Sequence, residues 1–306
     1  MKILVTGGAG FIGSHVVDAL LARGDEVIVI DNLSGGKKEF LRQHEMNTWF
    51  TFIEADASDY NILEKAADSV EEIWHLAAKP DVKTYTSEDF IRDVHITKNI
   101  LEVMAKKGVR RIIFSSSSVV YGEAKRIPTP EEAQMMPVSL YGASKVACES
   151  LISAYSNCFG IRSWIFRFAN VIGERGTHGV IVDFIRKLRD NPNELEILGD
   201  GEQTKSYLLV QDCVNAMLKA VDDSDMKFNV FNIGSDDWVS VKRIAKIISE
   251  EMRLNPMFRF TGGVRGWVGD VPKMQLAIGK ICSLGWKPIN NSEEAVRKAA
   301  KALLSA

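Results

Sequence analysis

The stretch KILVTGGAGFIG (residues 2–13) joins a short β-branched run to Gly7, Gly10 and Gly13. The run reads as a buried strand and the glycines as a tight turn. The following segment, FIGSHVVDALLARG (11–24), reads as a helix stopped by Gly24. Glycines at such a turn let backbone N–H groups approach a pyrophosphate, which then sits at the positive end of the helix. A glycine pattern alone is weak evidence. Its position between a strand and a helix gives it weight, and a merely flexible turn explains it less well.

Asp31 ends the next apolar run, EVIVID (26–31), at the distance expected for a carboxylate that holds a ribose. There it would accept hydrogen bonds from both ribose hydroxyls and repel a 2′-phosphate, which favours NAD over NADP. DNLSGG is also good turn chemistry, and Lys37 and Lys38 keep NADP open. Further apolar runs follow at 49–56, 71–78, 109–118 and 161–170. Helical patterns lie between them at 59–68 and 90–108. Strand and helix alternating in this way predict a parallel sheet covered by helices on both faces. After residue 170 the rhythm loosens. Helices are expected at 179–190, 239–252 and 292–306, with a strand and a helix within 194–221 and a strand at 228–235.

The 306 residues suffice for one large or two moderate domains. Apolar residues make up 46% and charged residues 25%, which is ordinary globular composition. A net charge of -2 offers no general electrostatic attraction to nucleic acid or anionic lipid. The four cysteines (Cys148, Cys158, Cys213, Cys282) are scattered without a C-x-x-C pair. Structural zinc and a disulfide framework are therefore not expected, and a cytoplasmic setting is. Met1 leads straight into KILVTGG, so no secretory leader is expected. No apolar run reaches membrane-spanning length, so no membrane partner is expected either.

FSSSSVVYG (114–122) sets four serines at the carboxyl end of the fifth predicted strand, where open α/β sheets bind ligands. Most of these hydroxyls can simply satisfy turn backbone. One within reach of Tyr141 could hydrogen-bond a reacting alcohol. No G-x-S-x-G elbow is present, so a serine hydrolase is not indicated. In SLYGASK (139–145), Tyr141 and Lys145 stand four residues apart on one helical face. As a surface pair they would be worth a few tenths of a kcal/mol. Beside a dinucleotide site a second role opens. A tyrosine of pKa about 10 is a poor base at neutral pH, and a nearby ammonium and a cationic nicotinamide both favour its phenolate.

With these motifs in hand, the chain resembles the extended short-chain dehydrogenase/reductase family, and within it the UDP-glucose (UDP-galactose) 4-epimerase group of nucleotide-sugar enzymes. The resemblance spans nearly the whole sequence, through TGGAGFIG, DNLSGG, EADASD, HLAA, FSSSSVVYG, LYGASK, RFANVIG, GDGEQTKSYLLVQD, FNIGS, GWVGDVP and LGWKP. It implies an α/β fold: a Rossmann-type doubly wound parallel sheet with a smaller α/β C-terminal substrate-binding lobe. The NAD-binding part would comprise residues 1–170 plus about 207–235. The nucleotide-sugar lobe would comprise about 171–206 plus 236–306.

By the same resemblance, Gly7, Gly10, Phe11, Ile12 and Gly13 would wrap the pyrophosphate of NAD. Asp31 and Asn32 would hold the adenosine ribose, Asp56 and Ala57 would meet the adenine, and Leu76, Ala77 and Ala78 would line the cofactor path. Ser117 matches the catalytic serine or threonine, Tyr141 the base and Lys145 its partner. Asn170 would contact the diphosphate of the UDP-sugar, Val180 and Ile181 the uracil, and Lys205 and Arg265 the phosphates. No metal is implied. The implied reaction takes a proton from the sugar 4-hydroxyl while C4 gives hydride to NAD. The keto sugar turns over, and hydride returns to its opposite face.

Related dehydratases carry Asp–Glu just after the catalytic hydroxyl, and UDP-glucuronate decarboxylases keep a glutamate there. This chain has Ser118 and Val119, which favours simple epimerisation. Other positions depart from the common pattern. Asp93 stands for an asparagine. Lys205 stands for an arginine and keeps charge without the bidentate fork. Trp267 stands for another arginine, with Arg265 two places earlier as its expected substitute, and Met274 bounds the space near the sugar C2. The sugar itself stays open among glucose/galactose, N-acetylglucosamine and glucuronate. A 4-keto nucleotide-sugar reductase and an NAD-sensing binding protein are the competing readings. Family members commonly form homodimers, which here would use 90–107 and 141–158.

Overall fold

The computed structural model describes residues 1–79 and 81–305. The first half alternates as the sequence predicts: β1 (Lys2–Thr6), α1 (Phe11–Ala22), β2 (Glu26–Asp31), β3 (Phe50–Glu54), α2 (Tyr60–Ala66), β4 (Glu72–His75), α3 (Ser87–Lys107), β5 (Arg111–Ser117), α4 (Leu140–Phe159) and β6 (Arg162–Phe168). Next come β7 (Asn170–Ile172), α5 (Val180–Asp190), β8 (Glu194–Ile197), β9 (Thr204–Lys205), β10 (Tyr207–Leu209), α6 (Val210–Asp223) and β11 (Phe228–Ile233). The chain finishes with β12 (Val239–Ser240), α7 (Val241–Glu251), β13 (Met257–Phe260), β14 (Lys273–Met274), α8 (Gly279–Cys282) and α9 (Ser292–Ser305). The last predicted helix extends one residue further, to 306, outside the described residues.

Seven strands form one sheet in the order β11-β6-β5-β4-β1-β2-β3, every pairing parallel. This is the doubly wound Rossmann-type α/β fold. Alternate residues of a strand point to opposite faces. Ile3 and Val5 of β1 therefore join the cluster containing Val16, Val17 and Leu20 of α1 and Met217 of α6. Leu4 joins Ile96 and Ile100 of α3 and Ile152 of α4 on the other face. The chain runs outward from β1 to β3, then reverses at β4. The β1/β4 boundary is thus the switch point, and ligands bind beside the carboxyl ends of strands at such a point.

Several element ends differ from the sequence prediction for local reasons. α3 begins at Ser87 rather than 90, because Thr86 and Asp89 form a reciprocal capping box. The predicted strand 161–170 breaks near its end. Ala169 N–H still bonds the Ile233 carbonyl (2.8 Å), but Asn170 N–H bonds that of Ser206 (3.2 Å). The chain changes sheets there, and β7 pairs with β10. Beyond it lie small sheets, β12-β9-β14 and β13-β8, packed with α5, α7 and α9 around a third apolar cluster.

A buried polar hub fastens the central sheet. Arg167 of β6 donates to Glu149 of α4 (2.6 Å), to Tyr121 Oη (2.8 Å) and to the Glu131 carbonyl (2.7 Å). Ser116 donates to Glu149 (2.5 Å), and Tyr121 to Asn232 of β11 (2.8 Å). Both charged side chains are buried, so each needs the other.

Candidate active site

A cavity of about 1220 Å³ lies at the switch point. One end is the glycine turn. Gly10 precedes α1 and supplies no side-chain cap, so the first helical N–H groups have no acceptor within the helix. Gly7 has φ +75°, and a Cβ there would meet Ala77 N at 2.6 Å; a Cβ on Gly13 would lie 2.1 Å from the Gly7 carbonyl oxygen. The turn is therefore a bare backbone cradle, which fits a pyrophosphate. Gly13→Ala should lower NAD affinity roughly ten- to a hundredfold, in line with about 1–3 kcal/mol for forced overpacking. Titration with NAD by calorimetry checks this, and unchanged affinity would remove the cradle from binding.

Asp31 is buried beside the turn and accepts N–H bonds from Ala9 (2.9 Å) and Leu33 (2.8 Å). Burial pushes its carboxyl up, and these two N–H groups pull it partly back. Asn32 donates to Asp56 (2.9 Å), as does Arg92 (2.7 Å). Burial works against the Asp56 carboxylate, but Ser58, Asn32 and Arg92 hold it below the ordinary range. Phe11, Ile12, Ala57, Leu76, Ala77 and Ala78 line the same end. Lys37 and Lys38, which keep NADP open in the sequence, sit over the rings of Phe40 (5.8 Å) and Phe52 (5.5 Å).

Midway, Ser117, Tyr141 and Lys145 line the cavity together. Ser139 caps α4 by accepting the Gly142 N–H (3.1 Å), which fixes the turn bearing Tyr141. Lys145 is 2% exposed. Its ammonium donates to the Ser115 carbonyl (2.9 Å) and lies 5.6 Å from the Tyr141 ring centroid. The serine run divides its labour: Ser116 bonds Glu149, and Ser117 lies 3.4 Å from the Val119 N–H. Burial pushes the Tyr141 phenol up, Lys145 pulls it down, and the Asp93 carboxylate pushes it up again. The sequence reading stressed the lowering by Lys145 and a cationic nicotinamide; burial outweighs Lys145 here. His75 bridges Thr6 (2.9 Å) and Thr97 (3.0 Å), and burial with Lys145 nearby lowers it to about 3, so it stays neutral.

The far end of the cavity carries Asn170, Val180, Ile181 and Lys205. Lys205 pairs with buried Asp270 (2.6 Å) and lies 5.0 Å from the Trp267 ring centroid. Arg265 departs from expectation and is not among the lining residues. Its guanidinium pairs with Glu123 (2.5 Å) and donates to the Asp270 carbonyl (2.7 Å). Both partners hold it in the loop. Trp267, where an arginine was expected, lines the cavity instead, and its buried indole N–H has no partner among the described residues. Gln203 Oε1, also on the wall, is likewise unpartnered. The sequence reading missed Asp270 and Gln203 on this wall, and Tyr85, whose ring meets that of Tyr141 edge-on. Asp270 lies within the quoted GWVGDVP motif, which signals the segment but not the ion pair with Lys205.

A model of the NAD dependent epimerase/dehydratase family matches residues 3–234. A Methanocaldococcus jannaschii protein, provisionally named a UDP-glucose 4-epimerase, is 37% identical over 97% of this chain and 96% of its own. A solved UDP-galactose 4-epimerase is 43% identical, with TM-score 0.89 over 100% of this chain and 99% of its own. A Bacillus cereus UDP-glucuronic acid 4-epimerase, solved with UDP-glucuronic acid and NAD, is 28% identical, with TM-score 0.91 over 100% and 99%. Among the described residues, no cluster of His, Cys, Asp and Glu could hold a metal ion, and no helix is long and apolar enough to cross a membrane.

Proposed function

The chain belongs to the NAD-dependent epimerase/dehydratase family, and from that premise we propose that it inverts C4 of a UDP-hexose, UDP-glucose and UDP-galactose being the interconverted pair. One observation carries the reading. Tyr141 and Lys145 open onto the same cavity as the glycine turn, while Ser118 and Val119 bring no carboxylate next to Ser117. The geometry supports a single proton-transfer group and offers no Asp–Glu pair there for the further proton steps of dehydration.

NAD held by the glycine turn and Asp31 would supply a reversible hydride acceptor for C4, and its cationic ring would add to Lys145 in favouring the phenolate. The rest falls to this chain. Tyr141 takes the 4-hydroxyl proton and gives it back. Ser117 holds the reacting oxygen. Lys145 steadies the phenolate and the nicotinamide ribose. Asp31 and Asn32 hold the adenosine ribose, and Asp56 and Ala57 the adenine. Asn170 and Lys205 take the diphosphate of the substrate, and Val180 and Ile181 flank its uracil. Arg265, turned to Glu123, leaves that diphosphate to Asn170 and Lys205. These substrate contacts belong to a lobe of about 171–206 plus 236–306.

The test is direct. Purified protein with NAD is incubated separately with UDP-glucose, UDP-N-acetylglucosamine and UDP-glucuronate, and the products are resolved chromatographically. UDP-galactose should form from UDP-glucose without stoichiometric accumulation of NADH. Turnover of UDP-glucuronate alone would move the assignment to that sugar. NAD binding with no interconversion of any UDP-hexose would end the epimerase reading, and stoichiometric NAD(P)H consumption would make the chain a reductase.

A further inference from the structure

Asp93 of α3 is 5% exposed and borders the cavity. Tyr85 Oη donates to its carboxylate at 2.6 Å and lies 3.0 Å from Ser144 Oγ on α4. The Tyr85 ring in turn meets the Tyr141 ring edge-on, centroids 5.4 Å apart. The Asp93 carbonyl accepts from Thr97 (3.0 Å). The carboxylate thus enters from α3 against the face of α4 that carries Tyr141, Ser144 and Lys145. We propose that Asp93 is a positioning residue whose negative charge sets the pH at which Tyr141 ionises, acting as a counterweight to Lys145.

This inference rests on Tyr141 being the base. A reversible epimerisation takes the sugar proton and returns it in every cycle. Such a group works best with its pKa near the operating pH, not far below it. Lys145 and a cationic nicotinamide both pull the phenol down, and unopposed they would make a phenolate slow to return its proton. Burial, the largest influence, pushes the other way, and the Asp93 carboxylate adds to it the upward push that comes from a charge.

The neighbouring charges leave this balance to the two residues. On α3, Asp89 is paired with Lys79 (2.8 Å), and Arg92 with Asp56 (2.7 Å). On α4, Glu149 is paired with Arg167 (2.6 Å), and burial pushes the Cys148 thiol up, so it stays neutral. His75 on β4 is neutral, and burial with the Asp93 bond keeps Tyr85 protonated. Burial raises Asp93 itself, while Lys145 and the Tyr85 hydroxyl support its charge.

Asp93→Asn keeps the shape and an acceptor for Tyr85 but removes the charge. Removing a negative charge favours the phenolate, so the Tyr141 pKa should fall. Two readouts are taken across pH: kcat/KM, and the phenolate ultraviolet absorbance as a difference against Tyr141→Phe. Both midpoints should move down by about one pH unit, and Asp93→Glu should restore them toward wild type. An unmoved or raised phenolate midpoint overturns the proposal, as does a uniform loss of rate at all pH values. If Asp93→Asn does not fold, the smaller neutral Asp93→Ser gives the same reading. The absorbance titration needs no turnover, so failure of the epimerase reading and failure of this one are separately visible.

Discussion

Tyr141→Phe should lower kcat for UDP-sugar epimerisation by about 10³-fold, within the 10²–10⁴ that a positioned general base contributes. NAD affinity should change little. The phenylalanine ring keeps the edge-on contact with Tyr85, Lys145 keeps its bond to the Ser115 carbonyl, and the glycine cradle is untouched. The KM for the sugar nucleotide should also stay close to wild type, since the contacts proposed for its nucleotide half lie at the far end of the cavity. Steady-state kinetics with a parallel NAD titration separate these effects. Turnover retained within tenfold would remove Tyr141 from the base role and leave the proton to another group.

Arg167→Met should cost about 3–5 kcal/mol of stability, the range for removing one partner of a buried ion pair. Glu149 would be left charged and unpaired, and Tyr121 and the Glu131 carbonyl would each lose a donor. Urea unfolding should show a lower midpoint at an unchanged slope. Adding Glu149→Leu should recover part of the loss, because the charge left unpaired is then gone. A single-variant loss below about 1 kcal/mol would show the hub to be replaceable. Ser116, which bonds Glu149, adjoins Ser117, so turnover at low temperature should fall as well.

The half of the cavity proposed to hold the cofactor was legible in the sequence because its signals are local. Gly7 and Gly10 sit between one strand and one helix, Gly13 lies in the first turn of that helix, and Asp31 ends the very next strand. Tyr141 and Lys145 share a helical turn. The half proposed to hold the substrate is built by tertiary pairing that no window of sequence displays. β9 and β14 have two residues each, and Lys205 lies opposite Met274 only because distant segments meet. Arg265 shows the same limit. Counting along the chain brought it within two places of the expected arginine, but side-chain direction in a loop depends on partners, here Glu123, 142 positions away. Tyr85 carried no motif at all; its part emerges from the packing of α3 on α4.

The strand order has a consequence for the growing chain. β11, the seventh member of the sheet, starts at Phe228 and docks on β6. During synthesis the glycine turn and the Tyr141 helix leave the ribosome well before it. Until β11 arrives, β6 is an open edge, offering unpaired backbone groups beside the large side chains of Trp164 and Phe166. The half-made protein is therefore at its stickiest when its cofactor cradle is already complete, and early capture of NAD would shorten its exposure by favouring the folded form of that half.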